Sequence, residues 1–202
     1  MSAYLSLAQS AEIELLILNS RFIARACEVQ SVAEAEAFLQ SCKSRYPDAT
    51  HHCYAFELIG PPVLARFSDD GEPAGTAGRP IYTVLSHQAS NAMVVVIRYF
   101  GGTRLGKGGL VKAYTEASKQ VIASAGLKQQ ETLLDLQLSY PYHLSGSLAY
   151  FFQQQALQAE LHYGEQVSAR VAVPQSQLDA VSQSLSHWVG QGLSWNSLPS
   201  DL

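Results

Sequence analysis

Met93-Val94-Val95-Val96-Ile97-Arg98-Tyr99-Phe100-Gly101-Gly102 is the stretch whose reading decides the fold of the first two-thirds of the chain. Five consecutive apolar residues, four of them β-branched, read as a strand buried on both faces. Glycines break it, and Gly101–Gly109 opens a long amphipathic helix from about Leu110 to Ala125, with Gly126 as its C-cap. Upstream, Glu12–Leu18 and Arg21–Val29 read as two strands around Asn19-Ser20. Ser31 and Glu34 form a capping box for a helix whose apolar stripe is Val32, Ala35, Phe38, Leu39 and Cys42, ended by Pro47 and Asp48. His52–Leu58 and Val63–Phe67 read as strands joined by the turn Gly60-Pro61-Pro62, and a short helix is expected over Pro80–His87.

Downstream of Gly126–Leu133 the order changes. Leu133–Tyr140, Glu160–Tyr163, Val167–Val173 and Leu193–Leu198 read as strands, Leu144–Leu157 and Gln177–Val189 as helices. This βαββαβ order is the ferredoxin-like arrangement. The expected class is therefore α+β: two α/β sandwich domains, residues 1–130 and 131–202.

The 202 residues are 47% hydrophobic and 15% charged, enough apolar content for packed cores. No apolar run reaches the roughly 18 residues needed to cross a bilayer. Glu12 and Glu14 interrupt the apolar N-terminal stretch, and no basic residue precedes it, so neither a signal peptide nor a membrane anchor is expected. Cys27, Cys42 and Cys53 form no CxxC pair and read as free thiols of a cytoplasmic protein. Net charge is −4, unlike a protein that binds nucleic acid over its whole surface. From Glu131 onward the only Lys or Arg is Arg170, whereas Arg98, Arg104, Lys107 and Lys112 follow one another without an intervening acid. Any phosphate-facing surface is expected there.

Gly101-Gly102-Thr103-Arg104-Leu105-Gly106-Lys107-Gly108 fits the G-x-x-x-x-G-K spacing of a phosphate loop but has Gly108 where Ser or Thr must hold magnesium. What survives is a helix N-terminus with exposed amides, a favourable place for an anion, reinforced by Arg104 and Lys107. The equal alternative is that the glycines serve positive φ angles and close packing. In Phe67–Pro80, Asp69, Asp70 and Glu72 are either cation ligands or acid/base groups, or belong to a solvated turn whose Asp side chains bind backbone amides. Their spacing matches no calcium loop, which favours the turn; neither a metal nor a cofactor is expected. His51-His52-Cys53 places His51 and Cys53 on one side of a strand and His52 on the other, too few ligands for zinc and without a visible base for a Cys53 nucleophile. Tyr99, Phe100 and Tyr114 are candidates for stacking on bases.

Phe67-Ser68-Asp69-Asp70-Gly71-Glu72-Pro73-Ala74-Gly75-Thr76-Ala77-Gly78, Val96-Ile97-Arg98-Tyr99-Phe100-Gly101-Gly102, Leu105-Gly106 and Gly108-Gly109-Leu110 together closely resemble the IMPACT family in its bacterial, YigZ-like branch. Ser20-Arg21-Phe22-Ile23 and His51-His52-Cys53 fit the same pattern. The resemblance spans essentially the whole chain. It implies an N-terminal domain of the ribosomal-protein second-domain type and a ferredoxin-like C-terminal domain, both similar to C-terminal domains of elongation factor G. It also implies a link to translation control, since eukaryotic members restrain a starvation-responsive initiation kinase by competing for its ribosome-bound activator. Those members carry a further N-terminal domain without a counterpart here, so their partner is not carried over with the fold.

The expected function is that of a translation-associated regulatory or binding protein, not primarily an enzyme, contacting ribosome, RNA or a translation-control protein. The candidate surface joins Asp69, Asp70, Glu72 and Thr76 to Arg98, Gly101, Gly102, Arg104, Gly106, Lys107 and Gly108. The alternative is an enzyme or small-ligand binder for a nucleotide or phosphorylated compound. Homo-oligomerisation through the acidic C-terminal domain is a further expectation, and no membrane partner is expected.

Overall fold

The computed structural model describes residues 3–60 and 62–198. Pro61, the centre of the expected Gly60-Pro61-Pro62 turn, lies outside the described residues, as do 199–202 of the expected second domain. The elements in chain order are β1 (Ala3–Leu7), β2 (Ala11–Ile17), β3 (Ser20–Glu28), α1 (Val32–Arg45), β4 (His51–Leu58), β5 (Leu64–Ser68), α2 (Gly78–Ser86), β6 (Ala92–Tyr99), α3 (Gly106–Ala125) and β7 (Leu127–Glu131). They continue with β8 (Leu133–Tyr140), α4 (Ser145–Gln154), β9 (Gln158–Tyr163), β10 (Val167–Pro174), α5 (Leu178–Val189) and β11 (Ser194–Leu198). The chain divides into two compact units, one comprising residues 4–130 and the other built from Glu131 onward. The fold class is α+β, with helices layered on sheets in both units.

In the first unit five strands form one sheet in the order β2-β3-β6-β4-β5, every neighbouring pair antiparallel. β6 is the central strand because its side chains are apolar on both sides. Val94 and Val96 join Phe22, Ala24, Cys53 and Ala55 beneath α2 and α3. Met93, Val95 and Ile97 join Ile23, Cys27 and Phe56 beneath α1. The sheet is thus covered on both faces, with α1 as a third layer. Ser31 caps α1 by accepting the Glu34 amide at 3.2 Å, but the Glu34 carboxylate reaches back to the Gln30 amide at 2.9 Å, one residue beyond the usual capping-box partner.

The local reading needs four corrections. The β2–β3 turn is Leu18-Asn19, with φ of 46° and 64°, because a two-residue hairpin that matches strand twist requires left-handed backbone at both central positions. This frees Ser20 to begin β3 with a buried side chain. α2 starts at Gly78 and α3 at Gly106, so the second glycine-rich segment supplies the first helical turn instead of preceding it. Finally, β1 and β7 form a two-stranded sheet that local periodicity does not reveal, since Leu127-Lys128-Gln129-Gln130-Glu131 is mostly polar.

Two glycines are fixed by close backbone approach. A Cβ on Gly101 would lie 2.0 Å from the Asn19 carbonyl oxygen, and one on Gly78 would lie 2.6 Å from the Ser68 carbonyl carbon. Both contacts are with backbone, which cannot swing aside.

The second unit has sheet order β11-β8-β10-β9, again antiparallel, the strand order of a ferredoxin-like fold. Leu136, Leu138, Tyr140, Val167, Ala169, Val171 and Val173 face α4 and α5, whose Leu148, Phe152, Val181 and Leu185 complete the core. The alternate residues make a polar opposite face on which Arg170 pairs with Asp135 at 2.6 Å. No helix among the described residues is long and apolar enough to cross a membrane.

Gly101→Ala is expected to destabilise the chain severely, whereas Gly108→Ala, whose Cβ meets nothing within 4 Å, should be neutral or stabilising by up to about 1 kcal/mol. Urea denaturation of the two variants reads the contrast; equal losses would contradict the close-approach account.

Candidate functional site

The site grows from a charge that the sheet forces inward. Arg98 is the penultimate residue of β6, and its side chain is only 5% exposed. A guanidinium at such a position requires an anion and further acceptors, since an unpaired buried charge is strongly destabilising. Glu72, 3% exposed, supplies the anion: its Oε1 accepts from Arg98 Nη1 at 2.7 Å and from the Tyr114 hydroxyl at 2.7 Å. Arg98 Nη2 donates to Ser20 Oγ at 3.2 Å, and the Gly101 amide donates to the same oxygen at 3.2 Å. The guanidinium carbon lies 5.4 Å from the Phe22 ring centre and 5.5 Å from that of Phe100. The Arg98 Nε has no hydrogen-bond partner among the described residues.

Glu72 is therefore no part of a solvated turn. Asp69 and Asp70 do organise one, as expected of aspartates among breakers, but by holding specific amides. Asp69 Oδ2 accepts from the Gly75 amide at 2.8 Å, and Oδ1 from those of Ala77 (3.0 Å) and Gly78 (2.8 Å). Burial pushes the Asp69 pKa up, yet these three donors outweigh it and leave the carboxyl below its ordinary value. Asp70 Oδ2 accepts from the His52 amide at 2.6 Å, and its carbonyl lies 2.8 Å from His51 Nδ1. Thr76 is buried and donates its hydroxyl to the Pro73 carbonyl at 2.6 Å. Asp69 and Thr76 thus shape the loop from inside.

His51 and Cys53 do share one side of β4. His51 Nε2 lies 4.0 Å from Glu72 Oε2, and the Cys53 thiol donates to the Asp69 carbonyl at 3.0 Å. Burial pushes the Cys53 thiol far up, with the Tyr114 hydrogen bond opposing it too weakly to matter. Such a thiol is no nucleophile at neutral pH. His52 turns to the other face, 3.1 Å from the Tyr46 carbonyl, and burial lowers its pKa. Tyr114 is fully buried and unavailable for stacking on a base, because the i, i+3 and i+4 spacing that builds the inner face of α3 carries it into the core. Tyr99 is half-buried with its hydroxyl on Asp48, while Phe100 remains exposed.

The two glycine-rich segments meet at one cleft of about 300 Å³. Glu72 and Pro73 contribute from the first, Arg98 and Phe100 from the end of β6, and Arg104, Leu105, Gly106, Lys107 and Leu110 from the start of α3. Of the expected surface residues, Glu72, Arg98, Arg104, Gly106 and Lys107 line this cleft; Asp69, Asp70, Thr76, Gly101, Gly102 and Gly108 do not. Arg104 and Lys107 are exposed and form no ion pair among the described residues. The N-cap position Leu105 offers no side-chain acceptor, and no acid occupies the first turn of α3. The phosphate-loop spacing sits in an antiparallel sheet, unlike the parallel βα unit in which such loops cradle nucleotides. Sequence reasoning missed Ser20, which it assigned to the turn, although its side chain is the second acceptor for Arg98.

The family model for the Impact N-terminal domain matches residues 18–122, which carry all of these groups. The chain belongs to the IMPACT family. It is 35% identical to the IMPACT family member YigZ of Escherichia coli (strain K12), with 92% of this chain and 93% of the relative covered. It is 32% identical to the family member YvyE of Bacillus subtilis (strain 168), covering 91% and 85%. A solved crystal structure of a hypothetical protein superposes over 100% of both chains, with 32% identity and a TM-score of 0.78. Within the block Phe67–Gly78, Glu72 and Pro73 line the cleft.

Glu72→Ala is expected to cost roughly 3–5 kcal/mol by leaving Arg98 buried without its anion. Asp69→Ala should cost about 2–4 kcal/mol through the loss of three charge-assisted amide bonds. Because the folded Asp69 carboxyl titrates below its unfolded value, its contribution is complete above about pH 4 and disappears as the pH falls through the folded value. Thermal denaturation between pH 7 and pH 3 checks this: the gap between the wild-type chain and Asp69→Ala should narrow at the acid end.

Proposed function

We propose that the chain is a cytoplasmic, translation-associated regulatory protein that binds RNA, including RNA presented by the ribosome, through the surface around this cleft. Family membership supports the translation-associated part, in line with what the resemblance implies for eukaryotic members. The observation that carries the RNA part is the pair of unneutralised cations, Arg104 and Lys107, beside the exposed ring of Phe100 and the uncapped N-terminus of α3. In a chain of net charge −4 this is a local cationic edge, suited to phosphate contacts without general affinity for polyanions. From Glu131 onward the second unit has one Lys or Arg, Arg170, already paired with Asp135, and is a poor phosphate surface.

Co-sedimentation with ribosomes and fluorescence titration of short single-stranded RNAs across a salt series test the proposal. Binding is expected at low salt, with the double variant Arg104→Ala, Lys107→Ala flattening the slope of log K against log salt by about 1.4 for two single-strand phosphate contacts. Absence of RNA and ribosome binding at low salt, or binding indifferent to the double variant, overturns it. Ribosome binding that survives nuclease treatment points instead to a translation-control protein as partner. Sedimentation velocity of the same samples reads the expected pairing of two copies through the C-terminal unit.

A further inference from the structure

We infer that the cleft is a subsite for a single nucleotide, with the phosphate held at the N-terminus of α3 and the base laid against Phe100. This rests on the proposed RNA-binding surface and specifies the chemical unit it recognises. Two independent features converge. One is the start of α3, a 20-residue helix whose first turn, Gly106-Lys107-Gly108-Gly109, has no side-chain cap and no acid. Glycines there keep side chains away from the amides, and the helix dipole favours an anion at that end. The other is Arg98, 4% exposed as a whole residue, which lines the cleft and whose Nε has no partner among the described residues. Its remaining nitrogens are fixed by Glu72 and Ser20, so the guanidinium is held rigid before any ligand arrives.

Charge and size narrow the ligand. Glu72 is the one acid in the lining and is matched by Arg98, leaving Arg104 and Lys107 in excess, the charge of one phosphate monoester. A cleft of about 300 Å³ lies at the small end of ligand pockets, sufficient for one nucleotide and too small for a folded peptide segment. Phe100 is 47% exposed, and its ring already faces the Arg98 guanidinium. A base stacking on the open part of that ring would extend the Phe22–Arg98–Phe100 column by one layer.

Isothermal titration of the full chain with orthophosphate, a nucleoside, the corresponding nucleoside 5′-monophosphate and a ten-nucleotide RNA tests the inference. The monophosphate should bind more tightly than either orthophosphate or nucleoside. Phe100→Ala should weaken the monophosphate by at least about 5-fold and leave orthophosphate unchanged. Arg104→Ala with Lys107→Ala should weaken both. Phe100, Arg104 and Lys107 are exposed, so these variants retain the fold, which circular dichroism verifies. A monophosphate as tight as the RNA identifies a free nucleotide as the source, and affinity that grows with RNA length identifies a strand. RNA binding that depends on Arg104 and Lys107, with a silent monophosphate and a silent Phe100→Ala, sinks the nucleotide subsite and leaves the RNA surface standing. Monophosphate binding without RNA binding does the reverse.

Discussion

The Arg98–Glu72 ion pair is the constraint on which the first unit depends. Removing two charges from water carries a penalty that their attraction offsets only when the remaining hydrogen-bonding capacity is also met. Here Tyr114 from α3 and Ser20 from β3 supply most of what is needed, and the Gly101 amide in turn donates to Ser20. Each comes from a different segment, so the pair fixes the positions of two loops, the central strand and the longest helix at once. Gly101 is forced by the same arrangement, since Ser20 reaches both the guanidinium and the Gly101 amide only if backbone meets backbone at Asn19.

That knot separates the charged groups into two populations. Asp69, Glu72 and Arg98 are consumed in building the loops; their partners are amides, a phenol, the Ser20 hydroxyl and one another. Arg104 and Lys107 are held out at the mouth of the cleft without an ion-pair partner among the described residues. A rigid floor, internally bonded except at Arg98 Nε, with cations at its rim is a preorganised binding surface, because little conformational freedom is lost on association. The same logic argues against covalent chemistry at Cys53, whose thiol is buried under Asp69 and Tyr114 where a thiolate is poorly solvated.

The second unit is built on a simpler rule. Strict alternation in β10, with Val167, Ala169, Val171 and Val173 inward, dedicates one sheet face to the helices and leaves the other polar. Its sole arginine is engaged by Asp135 across neighbouring strands. The two units therefore offer different surfaces: a cationic cleft in one and a nearly cation-free sheet in the other.

The βαββαβ order of the second unit was legible in the sequence because its strands alternate and its helices carry regular apolar stripes, both local signals. The burial of Met93–Ile97 on both faces was legible for the same reason, as was the amide-binding role of Asp69 among breakers. Pairing of β1 with β7 was not, since a polar strand such as Leu127–Glu131 is defined by a partner more than a hundred residues away. Nor was the division of the glycine-rich segments into wall and interior. Composition marked Glu72 and Arg98 as charged and Tyr114 as aromatic, which by themselves suggest solvent and stacking. Only the three-dimensional arrangement decided that these three bury one another while Arg104, Lys107 and Phe100 stay outside, because burying a charge depends on which partners the fold brings within hydrogen-bonding distance.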